Sequence, residues 1–305
     1  MQTVLGSNGQ IGHELAKELY EHYTTDIRLV GRNPKKIHES DQLVKADLLK
    51  LDDAMKAVSG SEIVYFTVGL PMDSQMWEEQ FLIITENVIK ACQQNNSKLV
   101  FFDNTYMYEK NAIPQIETSS FAPKGRKSIV RAKMAERIQE EMTSGCLEAV
   151  ICRAPEFYGP GNTQSITNTM IFSPIKADQK LKVPISDRTL RTLIWTPDAS
   201  RAMALIGNTK EAYNQTWHLP CAEQKTYKEL IKLTESILDK KLRYSVIKMW
   251  QFKLGSYFNQ NLKELEELLP RYQVDNIFVS DKFKTYFPDF KITTFEEGIQ
   301  QIFSK

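Results

Sequence analysis

The sequence predicts an α/β fold: a doubly wound parallel sheet with helices on both faces, and a smaller C-terminal cap that binds substrate. Three observations predict it. Segments rich in Val, Ile and Phe alternate with amphipathic helical segments through the first half of the chain. A GxxGxxG run, "GSNGQIG", stands between the first strand and the first helix. After Pro160 the alternation loosens.

Each element follows in order. "TVLG" reads as a strand, and "IGHELAKELYEH" repeats Ile11, Leu15 and Leu19 at helical spacing. "DIRLVG" is a second strand. A third, short strand ends at Asp47 and Leu48, ahead of the helix "DDAMKAVSG" that Gly60 stops. Then come a strand in "SEIVYFTVG", a long helix in "WEEQFLIITENVIKACQQN", a strand in "KLVFFDN", a helix in "IVRAKMAERIQEEM" and a strand in "LEAVICRAP". Strands separated by whole helices pair in parallel, because a tight hairpin can only reverse the chain. The looser segments "QSITNTMIFSPIKADQKLKVP" and "LKELEELLPRYQVDN" suit a cap. The expected division is 1–160 with 190–220 as the cofactor-binding domain, and 161–189 with 221–305 as the smaller substrate-binding region.

Composition narrows the function classes. The chain has 305 residues, 42% apolar and 25% charged, with a net charge of +1. No long-range field draws it to nucleic acid or an anionic membrane, so the expected partner is a small molecule, with a homodimer as an option. No apolar run reaches the roughly 18 residues of a membrane span. "MQTVLGSNGQIG" enters a strand at once, leaving no room for a signal peptide. Cys92, Cys146, Cys152 and Cys221 form no CxxC pair and no metal-like cluster, so a reducing cytoplasm and no metal are expected.

The glycine run carries the first chemistry. A dinucleotide pyrophosphate needs close backbone approach and the positive end of a helix. Gly6 allows the tight turn, Gly9 removes a side chain where phosphate comes close, and Gly12 lets helix and strand pack; Ser7, Asn8, Gln10 and Ile11 complete the turn. Packing alone also produces glycine triplets, but this one sits between a strand and a helix at the start of an alternating chain. An acid at the end of the second strand would mark NAD; this strand ends "LVGRNPKK". Arg32, with Lys35 and Lys36 behind it, predicts NADP(H) over NAD(H), since a guanidinium pairs with a 2′-phosphate. Asp47, with Leu48, is placed near the adenine or serves as a helix cap.

The chain resembles the extended short-chain dehydrogenase/reductases, the NAD-dependent epimerase/dehydratase superfamily. Besides the glycines, "FTVG", "TENVIKAC", "RAPEFYGPG", "RTLIWTPDASRAMAL", "YNQTWHLP" and "TTFEEGIQQI" carry the resemblance, which runs nearly end to end. It implies a Rossmann-type fold, cofactor contacts at Val68, Gly69 and Pro155, and substrate contacts at Tyr158 and Arg191. It also implies a Tyr-x-x-x-Lys pair on one helix with a Ser or Thr at the end of the fifth strand. Here the sequence departs. The serine slot holds Asn104, and "KGRKSIVRAKMAE" puts either Ser128 and Ala132 or Lys127 and Arg131 in the pair's slots. No register yields a tyrosine.

Three explanations follow. The acid is relocated to Tyr106 or Tyr108, with Asn104 donating to the substrate oxygen and packing as the alternative role of Tyr108; or the acceptor is quinone-like and needs little acid help; or the chain is a non-catalytic redox sensor. Lys127, Arg131 and Glu156 are further catalytic candidates, Glu156 through a carboxyl whose pKa burial raises. The expected activity is hydride transfer from NADPH to a small carbonyl or quinone-like substrate by an atypical reductase. The competing activity is that of a nucleotide-sugar epimerase or dehydratase.

Overall fold

The computed structural model describes residues 1–161, 163 and 165–304. The chain divides into two compact units. The first comprises Met1–Met107, Gly125–Ala154 and Ala199–Leu219; the second comprises Tyr108–Lys124, Pro155–Asp198 and Pro220–Lys305.

The first unit is built on a seven-stranded sheet of β1 (Gln2–Leu5), β2 (Ile27–Gly31), β3 (Gln42–Lys45), β4 (Ile63–Phe66), β5 (Lys98–Asp103), β6 (Ala149–Arg153) and β7 (Gln215–His218). Its order is β7-β6-β5-β4-β1-β2-β3, and every pairing is parallel. The order reverses direction at β1, where the chain starts in the middle and moves first to one edge, then to the other. This is the Rossmann-type arrangement, and it creates a crevice at the carboxyl ends of β1 and β4.

The central strands read as apolar runs because both faces are covered. Val4, Leu29, Val64, Leu99 and Val150 are closed to solvent, and each such side chain contributes about 1.5–3 kcal/mol of burial. Helices α2 (Leu51–Val58), α3 (Ser74–Asn95) and α4 (Arg126–Thr143) pack side by side. Helices α1 (Gln10–His22) and α5 (Thr196–Gly207) are joined where Ser200 Oγ donates to the Ile11 carbonyl, 3.0 Å away. Among the described residues no helix is long and apolar enough to cross a membrane.

The second unit carries short strand pairs and helices around its own core, which includes Tyr158, Phe172, Leu193, Trp195, Tyr227, Leu269, Tyr272 and Phe295. Two of its helices begin at Thr-x-x-Glu sequences, Thr226 with Glu229 and Thr294 with Glu297, and both close reciprocal capping boxes. Here local sequence alone explains where the helices start.

Candidate functional site

The glycine turn has the geometry its residues predict. Gly6 has φ +87°, and a Cβ there would stand 2.9 Å from Val68 Cα. A Cβ on Gly12 would stand 2.7 Å from the Gly6 carbonyl oxygen and 2.8 Å from Thr67 Oγ1. Backbone of β1, the start of α1 and the residues after β4 are therefore in direct contact, which only glycine permits. Gly9 is exposed and caps α1 without any side-chain hydrogen bond, so the first-turn amides of a 13-residue helix are not capped by its side chain. Ser7 is buried, its hydroxyl 3.4 Å from the Val30 carbonyl. Asn8 turns to the loop after β2: Nδ2 donates to the Asn33 carbonyl at 2.7 Å, and Oδ1 accepts from the Lys35 amide at 3.3 Å.

At the adjoining strand ends, Asp47 Oδ1 accepts from the Leu49 amide at 3.2 Å and the Asp47 amide donates to Asp53. Leu48 is buried, and its carbonyl takes a hydrogen bond from Asn87. Val68 is half-buried and Gly69 exposed, with open space around a notional Cβ at Gly69.

The carboxyl end of β5 is organised by a residue the sequence reading passed over. Asp103 is fully buried. Its Oδ1 takes Arg131 Nη2 at 2.6 Å and Nε at 3.2 Å, and its Oδ2 takes Arg153 Nε at 2.9 Å. Arg131 also donates to the Phe102 carbonyl and lies over the rings of Phe101 and Phe81. The guanidinium of Arg131 is thus occupied in tying α4 to β5. An acid ending the apolar strand "KLVFFD" was the available signal, since a buried carboxylate requires a partner.

The candidates around it separate. Asn104 Oδ1 accepts from the Tyr106 amide at 3.0 Å, leaving its Nδ2 without a protein partner among the described residues. The Tyr106 ring is half-buried and stacks on Trp77, centroids 6.1 Å apart at 7°. Tyr108 is buried in the second unit, its hydroxyl donating to the Ile116 carbonyl at 3.2 Å and its ring meeting Phe121 edge-on. On α4, Lys127 is fully buried and donates to Ser74 Oγ at 2.7 Å, and Ser128 is buried beside it. The helix contains no tyrosine.

In the second unit, Glu156 lies in a closed network. Its Oε1 accepts from Thr167 at 2.7 Å and Tyr227 at 3.2 Å; its Oε2 accepts from Tyr272 at 2.8 Å and from Arg191 and Arg271 at 3.4 Å each. Burial would raise its pKa, but the two guanidiniums and the hydroxyl donors outweigh that and hold the carboxyl below its ordinary value. The expectation of a raised pKa is thereby corrected, and Glu156 is a carboxylate rather than an acid at neutral pH. Arg191 is fully buried, donates to the Arg271 carbonyl at 2.5 Å and sits 4.3 Å over the Tyr272 ring. Pro155 is buried at the start of this segment. Tyr158 packs among Trp195, Phe295 and Phe172, its hydroxyl buried without a partner among the described residues, and burial pushes its pKa up. Thr167, Tyr227, Arg271 and Tyr272 escaped the sequence reading because they meet only through folding.

A family model described as "NAD dependent epimerase/dehydratase family" matches residues 3–218. No curated protein matches. Solved structures similar over nearly the whole chain include a UDP-glucuronic acid 4-epimerase from Bacillus cereus in complex with NAD, at 16% identity and TM-score 0.79, covering 99% of this chain and 97% of that one. A UDP-glucose 4-epimerase from Thermus thermophilus, complexed with NAD, has 15% identity and TM-score 0.77, with 99% and 97% covered. A dTDP-glucose 4,6-dehydratase from Bacillus anthracis str. Ames, also with NAD, has 16% identity and TM-score 0.78, with 99% and 94% covered.

These findings overturn the expectation of NADP(H). The matching family is NAD dependent, and these solved structures hold NAD. The structure shows why the basic turn misleads. Arg32 is exposed, with no partner among the described residues to aim it, and the Lys36 ammonium is engaged by the Glu39 carbonyl at 2.6 Å. A cation at a strand end looks the same in sequence whether it is positioned for a phosphate or solvated.

Proposed function

Because the chain belongs to the NAD dependent epimerase/dehydratase family, we propose that it binds NAD across the Gly6–Gly12 turn and acts on a nucleotide-linked sugar rather than on a small carbonyl or quinone. The observation that carries the cofactor reading is the close approach of Gly6 and Gly12 to Val68 and Thr67. In this reading Gly6, Ser7, Asn8, Gly9, Gln10, Ile11 and Gly12 cradle the pyrophosphate, Asp47 and Leu48 border the adenine, and Val68, Gly69 and Pro155 border the nicotinamide half. The substrate class is supported by the UDP- and dTDP-sugar enzymes that share the fold.

Bound NAD would supply a hydride acceptor at the strand ends. The chain's own task would then be to hold the substrate oxygen and accept its proton. Asn104 Nδ2 donates to that oxygen but cannot take a proton near neutral pH. With no tyrosine on α4 and Glu156 held in its own network, the proton passes to water or to Tyr106 as its phenolate, while Lys127, donating to Ser74, can only stabilise negative charge. One observation favours a second reading, cofactor binding without turnover: α4 carries no tyrosine.

The test is a titration with NAD followed by UDP- and dTDP-sugars. NAD binding, then a rise in NADH absorbance or sugar interconversion, supports the enzyme reading. Tight NAD binding with no turnover across the panel selects the second reading. Absence of NAD binding overturns both.

A further inference from the structure

The second unit exposes four large apolar side chains along one short stretch. Trp250 and Leu254, on the helix Met249–Ser256, are 64% and 56% exposed, and Tyr257 and Phe258 at its end are 84% and 87% exposed. Trp250 and Leu254, four residues apart, share one helical face, and Tyr257 and Phe258 continue the apolar stretch in the turn that ends the helix. Phe252, on the opposite face, is buried in the unit's core. The helix therefore has its inward side packed and presents a second apolar side outward. Apolar clusters of this kind mark contact surfaces.

The stretch that carries this patch is basic, although Glu266 from the following turn accepts a hydrogen bond from Ser256 on the same helix. From Lys240 to Phe258 the chain carries Lys240, Lys241, Arg243, Lys248 and Lys253 and no acidic residue, although the net charge of the whole chain is only +1. Lys240 and Lys241 are paired with Asp178 and Glu235. Arg243, Lys248 and Lys253 are exposed, with no ion pair among the described residues. Three exposed cations without ion pairs among the described residues, beside four exposed apolar side chains, suit an anionic partner with an apolar layer beneath.

We propose that this patch anchors the protein to the surface of an anionic lipid bilayer. Trp250, Leu254, Tyr257 and Phe258 enter the boundary between headgroups and acyl chains, while Arg243, Lys248 and Lys253 rest on lipid phosphates. The anchor lies on the surface and does not span it. Whole-chain composition conceals it, because the balance of charge averages a local basic stretch against acidic residues elsewhere.

The test uses the full chain with vesicles of phosphatidylcholine alone or mixed with phosphatidylglycerol. Each basic group near such a surface contributes a factor of about 5, so three predict roughly 100-fold stronger partitioning onto the anionic vesicles. Trp77, Trp195 and Trp217 are buried, so a blue shift of tryptophan emission on adding anionic vesicles reports Trp250. Phe258→Asp combined with Leu254→Asp abolishes flotation with vesicles while changing the thermal unfolding midpoint little, because neither side chain belongs to the unit's core. Trp250→Phe keeps flotation and loses the shift. The proposal is overturned if anionic vesicles neither co-float the chain nor shift its emission. It is equally overturned if sedimentation shows an oligomer that Phe258→Asp dissociates, or if an oligonucleotide binds this face and vesicles do not.

Discussion

Arg131 and Asp103 meet at the carboxyl end of β5, Nη2 standing 2.6 Å from Oδ1, with both side chains buried. Arg153 completes the group from β6. Two strands and α4 are thus joined one residue before Asn104. The group holds two guanidiniums and one carboxylate, so its carboxylate is the member whose loss is felt most.

Asp103→Ala removes the carboxylate that both buried guanidiniums meet. It is expected to destabilise the first unit by about 3–5 kcal/mol. Arg131→Met leaves the Asp103–Arg153 pair intact and neutral, so its cost is smaller. Chemical denaturation of the two variants should rank them in that order; equal losses would show that the three charges do not act as a group.

Gly6 and Gly31 make a matched pair for the cofactor turn. Gly6→Ala forces a side chain into φ +87°, 2.9 Å from the Val68 backbone. It should cost about 1–2 kcal/mol from backbone conformation alone, with further loss from the contact, and remove NAD binding. A Cβ at Gly31 meets no protein atom within 4 Å, so Gly31→Ala should keep the folding stability that Gly6→Ala loses. Thermal unfolding of both variants, with calorimetric NAD titration of Gly6→Ala, checks this.

Cofactor choice follows from the exposed state of Arg32. NAD should bind more tightly than NADP, and Arg32→Ala should change the ratio by less than about fivefold, as for other solvated surface charges. A tenfold or greater fall in NADP affinity in that variant would show the guanidinium to be positioned after all.

Glu156 supplies a pH signature. Its folded pKa lies below its ordinary value through Arg271 and Arg191, despite burial. The stability it contributes is therefore present above the unfolded glutamate pKa of about 4.3 and is lost as pH falls through the lower folded pKa. Glu156→Gln should be destabilised by about 3–5 kcal/mol at neutral pH, and its difference from the wild type should shrink only in that acid window. A difference that persists unchanged to the lowest pH at which both proteins fold would assign the effect to packing.

The order of strands and helices, the parallel sheet and the residues of the glycine turn were determined by the sequence itself. Each rests on local physics: the period of apolar side chains, the reach of a crossover connection, and the freedom of glycine at positive φ. Tertiary structure decided what the charged and aromatic candidates do. Arg131 reads as a member of a catalytic pair until Asp103, 28 residues away, is seen to hold it. Glu156 reads as a buried acid until Arg271, 115 residues away, holds it ionised. Tyr106 reads as a loop residue until Trp77, 29 residues away, is seen to pack against its ring. A side chain's charge state and availability are set by the groups that folding brings within a few ångströms, and local sequence carries no record of which distant groups those are.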